Sequence, residues 1–276
     1  MKNSLRSRVG TTGTYLMLLL FTLIFTFPFY YVFVLASWSN IYSNPPHVWF
    51  GSEFLVNVRA LLTQVPFHVN FFTSLMIAII TTTGTIFFCT MAGYAFAKFE
   101  FTGKKQLLMF IMATMAIPPF LNIIPFFKMM VIFGWYQTWL PLIVPTMANA
   151  FGIFLMTQFL DNSIPLDLLC AARIDGLNEF QILLRIVFPL AKPGIAVLGT
   201  VTFIGSWNNF ITALVMLPDT KKSTIPVALS SLFVRSDGNY GGLMAGTAIA
   251  LFPLLIAFSF FSKKIISNLT EGSIKG

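Results

Sequence analysis

Long stretches of this chain carry no charged residue, and that spacing constrains the fold more tightly than any motif within it. An unpaired charge at mid-bilayer costs roughly 2.5 to 3.5 kcal/mol on insertion scales, and a helix needs about 20 apolar residues to cross the hydrocarbon, so charge-free gaps of that length mark candidate spans. Such gaps run at 14–37, 71–97, 106–127, 138–160, 193–217 and 243–262. In lipid each must be helical, because a lone apolar segment can satisfy its backbone hydrogen bonds only within itself. Composition agrees: 57% of residues are hydrophobic and 9% charged, against about 25% charged in an ordinary soluble domain. The expected fold is an all-α integral membrane protein with six transmembrane helices. It comprises one transmembrane domain over 14–262, with a polar loop at 161–192, an N-terminus at 1–13 and a tail at 263–276.

Several spans are punctuated by proline, at Pro28, Pro118, Pro119, Pro125, Pro141, Pro145 and Pro253. Proline removes a backbone donor and favours kinks or breaks, so the boundaries of the third and fourth spans are the softest. The first span follows basic residues and ends near Val34, Leu35 and Ala36, which loosely resemble a signal-peptidase site. At about 24 apolar residues it is too long for a signal peptide and is read as a retained span.

Lys and Arg set the orientation. With the N-terminus inside, Arg59, Lys128, Lys221, Lys222 and Arg235 fall outside and the rest of the 17 basic residues fall inside, which predicts both termini in the cytoplasm. The net charge of +8 is scattered between apolar blocks rather than gathered on one face, which argues against nucleic acid as a partner.

Other functional classes find little support. Cys89 and Cys170 show no C-x-x-C spacing, and His47 and His68 have no companion ligands, so no metal or disulfide is expected. No G-x-x-x-x-G-K-[ST] loop occurs, and the short loops leave no room for a nucleotide-binding domain. An embedded enzyme would need a nucleophile and base near one face, and the few acids lie mostly at 161–192. A secondary, ion-coupled transporter would want ionisable groups at mid-membrane, and Lys128, near a span boundary, is the marginal case.

The polar segment DNSIPLDLLCAARIDGLNEFQILLRIVFPLAKP at 161–193 holds Asp161, Asp167, Arg173, Asp175, Glu179, Arg185 and Lys192. Leu166 to Asp175 reads as a short helix, Gly176 can adopt the left-handed conformation that ends it, and Asn178 can cap a second helix from Glu179. Two short helices meeting at an elbow suit either a knob gripped by a partner or an ordinary interfacial loop.

At this segment the chain resembles the permeases of ATP-binding-cassette importers, which carry a loop of pattern E-A-A, three residues, Gly, nine residues, then I-x-L-P. Ala171, Ala172, Gly176, Ile186 and Pro189 match, while Cys170 replaces the Glu and Phe188 the Leu. SWNNF at 206–210, STIPVALSSL at 223–232, AGTAIALFPLLIAF at 245–258, MAGYAFAKFEF at 91–101 and the tail LTEGSIKG resemble the second permease subunit of the maltose-type pair. The resemblance implies half of a translocation path in a bacterial or archaeal plasma membrane. Its implied partners are a second permease, two cytoplasmic ATPase subunits that carry ATP and Mg, and an extracytoplasmic sugar-binding protein. This chain itself would hold no cofactor and catalyse nothing. It also implies a coupling helix that docks on an ATPase through Ala171, Ala172, Arg173, Asp175 and Gly176, and a tail that reaches between the ATPases. Trp207, Asn208 and Asn209 combine an aromatic face with amides, which suits either a substrate path or hydrogen bonding between helices.

Overall fold

A computed structural model describes residues 2–235 and 240–272, with side chains described over 13–118, 121–233 and 240–260. The tail residues 273–276, and the side chains of the basic residues before position 13 and after 260, lie outside the described residues. The described chain is helical, without strands. It divides into two compact units, one of residues 1–67 and 229–251, the other of 68–228 and 252–276.

In the first unit, helix α1 (Lys2–Ala36) contains the apolar span Gly13–Ala36, whose side chains from Tyr15 to Phe27 are exposed. The chain then folds back on itself. Asn57, buried in α2 (Phe54–Gln64), donates to the carbonyls of Ala36 and Trp38 at 2.9 and 3.0 Å. Trp38 stacks on His47 with ring centroids 3.9 Å apart and donates to the Trp49 carbonyl at 2.9 Å.

The second unit holds α3 (Phe67–Lys98), α4 (Lys104–Thr114), α5 (Ile123–Ile132), α6 (Leu140–Ile143) and α7 (Ala150–Ser163). It continues through α8 (Leu166–Ile174), α9 (Glu179–Leu190), α10 (Lys192–Trp207) and α11 (Ile211–Met216). Helices α12 (Ile225–Arg235) and α13 (Gly241–Gly272) complete the chain. A core of Cys89, Tyr94, Met156, Leu160, Leu169, Ala172, Ile182 and Leu198 draws together α3, α7, α8, α9 and α10. At the start of α3, buried Asn70 donates to the carbonyls of Thr220 and Ser223 at 2.8 and 2.9 Å, pinning the segment that leads into α12.

Among the described residues four helical stretches are long and apolar enough to cross a membrane: Gly13–Ala36, Phe67–Lys98, Leu140–Ser163 and Gly241–Phe260. A fifth span arises if α9 and α10, bent by 81° at Ala191, count as one. The gap at 106–127 does not form one continuous helix. Helix α4 stops at Thr114, Pro118 is extended, and the chain resumes through a 3-10 turn into α5. Hydropathy registers the apolar content of this stretch but not the missing donors and pre-proline restriction that break it. The gap at 193–217 is likewise interrupted, since α10 ends at Trp207 and α11 begins at Ile211.

Candidate functional site

The polar segment folds as a closed elbow. Helix α8 ends in paired bonds, Gly176 N–H to the Arg173 carbonyl at 3.0 Å and Leu177 N–H to the Ala172 carbonyl at 3.1 Å. This is the Schellman arrangement, and it needs the left-handed residue that Gly176 supplies at φ +84°. Leu177 packs against the core that contains Ala172. Asn178 then caps α9 by accepting from Gln181 N–H at 2.9 Å, while the Gln181 side chain accepts from Asn178 N–H at 3.0 Å, a reciprocal capping box.

A charge network braces the bend. Arg173 Nε donates to Glu179 Oε1 at 2.7 Å, and the Tyr94 hydroxyl at the end of α3 donates to Glu179 Oε2 at 2.8 Å. The Arg173 guanidinium also lies 5.7 Å from the centre of the Phe99 ring, a cation–π contact. Hydrogen bonds from Arg173 first, and then from Tyr94, hold the Glu179 carboxyl below its ordinary value of 4.5. Because the folded value is depressed, the stabilisation is complete above about 4.5 and is lost as pH falls through the lowered value. Hydrogen exchange at the amides of 177–181, corrected for intrinsic rates, is expected to rise in acid. In Glu179→Gln it should be faster near neutral pH and lose that acid dependence. An unchanged acid response in the variant would show that another group governs the elbow.

The residues singled out in sequence occupy different positions on this elbow. Ala171, Asp175 and Gly176 are exposed, whereas Ala172 is buried in the chain's own core and Arg173 is engaged with Glu179. Ile186 is half-buried within α9. Pro189 is exposed and has no N–H to offer the Arg185 carbonyl, and the preceding turn, Leu183–Val187, widens into a π-helix. Sequence reading missed the most prominent apolar groups: Ile174 is 86% exposed and Phe180 56% exposed, and Cys170 and Ala171 are exposed as well. An Ile and a Phe flanking the turn glycine in a charged segment were the available signal.

The second candidate group divides between core and cleft. Trp207 is 2% exposed and packs on Phe203 and Phe71 at centroid distances of 6.1 and 5.6 Å. Asn208 donates back to the Ile204 carbonyl of its own helix at 3.0 Å and shares one open cleft with Asn209, which lines two further clefts. Among the described residues no group of three His, Cys, Asp or Glu side chains could hold a metal ion.

Residues 89–270 match the family of binding-protein-dependent transport system inner membrane components, and the chain belongs to that family. It is 35% identical over 206 residues to the arabinooligosaccharides transport system permease protein AraQ of Bacillus subtilis, covering 75% of this chain and 73% of that one. It is 29% identical over 275 residues to the lactose transport system permease protein LacG of Rhizobium radiobacter, covering 100% of both chains. The trehalose transport system permease protein SugB of Mycobacterium tuberculosis is 30% identical over 224 residues, 80% of this chain and 81% of that one. The fold superposes with a TM-score of 0.76 on a chain from the crystal structure of a bacterial ABC transporter involved in the import of the acidic polysaccharide alginate. That pair shares 24% identity over 93% of this chain and 96% of the other. The protein is thus a multi-pass membrane permease component.

Proposed function

We propose that this chain is a transmembrane permease subunit of an ATP-driven importer for a sugar or oligosaccharide. It pairs with a second permease to form the translocation path, receives substrate from an extracytoplasmic binding protein and is driven by two ATPase subunits that bind ATP and Mg. Membership of the family together with relatives named as arabinooligosaccharide, lactose and trehalose permeases carries this reading. Six spans, with the broken segments counted among them, would place both termini and the elbow in the cytoplasm.

The elbow is the coupling element in this proposal. Its exposed face, formed by Ala171, Ile174, Asp175 and Phe180, enters a groove on an ATPase, while Ala172 and Ile186, packed in the chain's own core, and Arg173, bonded to Glu179, keep that face rigid. Closure of the ATPase dimer then moves helices already locked to the elbow through Leu169 and Ile182, which requires contacts that differ between the two states. An ion-coupled alternative is disfavoured because the long spans carry no Asp, Glu, Lys, Arg or His away from their ends, and Lys128 lies in the short helix α5.

The test is reconstitution of the full importer in proteoliposomes. ATP inside and liganded binding protein outside should drive accumulation of labelled sugar, and an ion gradient alone should not. Uptake driven by the gradient without ATPase subunits would overturn the proposal.

A further inference from the structure

We infer that the clefts around Asn209 form a sugar contact carried by this chain itself, built for an uncharged pyranoside. The inference rests on the importer reading and names which residues of this subunit would meet the substrate. Three clefts, of about 640, 310 and 200 Å³, share Asn209 in their walls. One helix break lines all three, and a second lines two of them. The first is the interruption between Trp207 and Ile211; the second is the turn at Val144–Asn149, before α7. Non-helical backbone within a membrane protein is tolerated where it is covered by protein or lines a polar cavity, so two breaks on one cleft indicate a wetted route rather than a lipid-facing defect.

The polar groups on this cleft divide into those already engaged and those left over. Thr146 Oγ1 donates within its own helix to the Leu142 and Ile143 carbonyls, and Asn149 both caps Gly152 N–H and donates to the Thr146 carbonyl. These groups stabilise the break. Thr202 and Ser206 stand at i and i+4 on one face of α10, and Asn209, in the break just beyond it, lines the same cleft. Among the described residues none of these three side chains has a hydrogen-bond partner. Gly205 between them leaves open space, with nothing within 4 Å of where a Cβ would lie.

Thr81 on α3 also lines this cleft, but it is 1% exposed and its hydroxyl is buried without a hydrogen-bond partner among the described residues, so it belongs to the wall of the cleft rather than to its open surface.

This donor set selects a ligand class. Hydroxyls and a carboxamide match the paired donor and acceptor character of sugar hydroxyls, and Phe151, shared by two of the clefts, offers an aromatic face to a pyranose C–H surface. Among the described residues lining the three clefts there is no Lys, Arg, His, Asp or Glu. A carboxylate entering here would lose its hydration without meeting a counter-charge, whereas a neutral sugar would not.

The experiment uses the complete importer in proteoliposomes, with lactose and trehalose as neutral probes and oligogalacturonate as the acidic one. Ser206→Ala combined with Asn209→Ala is expected to lower neutral-sugar uptake about fivefold or more while stimulation of ATPase activity by liganded binding protein stays within about twofold. Ser206→Thr, which keeps the hydroxyl, should retain uptake. A Ser206→Cys substitution in a Cys170→Ser background supplies the direct readout. Its reaction with a small uncharged maleimide should slow about threefold or more in the presence of lactose or trehalose and be unaffected by oligogalacturonate. Unmodified uptake in the double variant, uptake and ATPase stimulation lost together, no protection by either neutral sugar, or equal protection by the uronate would each overturn the inference. Absence of ATP-driven uptake in the unmodified importer would instead sink the transport assignment on which it rests.

Discussion

Gly176→Val is expected to cut ATP-driven uptake about tenfold while leaving membrane insertion and assembly with the second permease intact. The cause is the backbone rather than crowding, because a Cβ at this position would meet nothing within 4 Å. At φ +84° an L-residue forfeits about 1 to 2 kcal/mol, and a β-branched one sits worse. That cost falls on the turn that closes α8, where the Gly176 and Leu177 N–H groups bond the Arg173 and Ala172 carbonyls. If the turn opens, Leu177 leaves the core, Arg173 loses its register with Glu179, and the exposed face carrying Ile174 is no longer held rigid. ATP hydrolysis would then proceed without moving the spans. Gly176→Asn separates the causes, since asparagine tolerates the left-handed region and should retain most of the uptake. Coupled uptake and ATPase activity measured together in proteoliposomes decide the matter, and wild-type uptake in the valine variant would show that the elbow's rigidity is not what transmits force.

Much of this architecture is legible in the sequence because the membrane imposes a simple rule on charge. The gaps at 14–37, 71–97 and 243–262 correspond to long helices, two of which continue through a single internal proline, Pro28 or Pro253. The elbow is readable for a different reason: its signals are local, with Gly176 and Asn178 acting within three or four residues of themselves. What escaped is either directional or distant. Trp207 has the chemistry of a sugar platform, but whether an indole faces a cleft or a core depends on neighbours such as Phe71, far away in sequence. Arg173 has the chemistry of a docking charge, but the turn at Gly176 brings Glu179 to it, and Tyr94 arrives from a helix some eighty residues earlier. Asn70 would pass for a stray amide on an apolar helix until the carbonyls of Thr220 and Ser223 appear beside it.

The other large effect is expected at Gly93, where α3 and α7 touch through their backbones. A Cβ there would lie 2.6 Å from Met156 Cβ, 2.8 Å from Met156 C and 2.9 Å from Thr157 N. None of these atoms can move by changing a rotamer, so Gly93→Ala must push the helices apart. The same contact is built in reverse four residues away on each helix, where a Cβ on Gly152 would lie 2.6 Å from Cys89 Sγ. Small residues at this spacing let helices approach closely enough for dispersion to hold them together, which in lipid replaces the hydrophobic drive available in water. Gly93→Ala is therefore expected to cost about 3 kcal/mol and to lower both the yield and the thermal midpoint of the assembled importer. Because α3 also carries Tyr94, the elbow should loosen with it, raising hydrogen exchange at 177–181 as in Glu179→Gln. Gly152→Ala provides the internal control. Its clash is with a side chain, so Cys89→Ala should relieve it, and the double variant should recover most of the lost midpoint. Side-chain truncation has no equivalent remedy at Gly93, since two of the three atoms it meets belong to the main chain. Thermal midpoints of the four variants separate the two kinds of contact, and rescue of Gly93→Ala by Met156→Ala would show that the backbones are not the limiting contact.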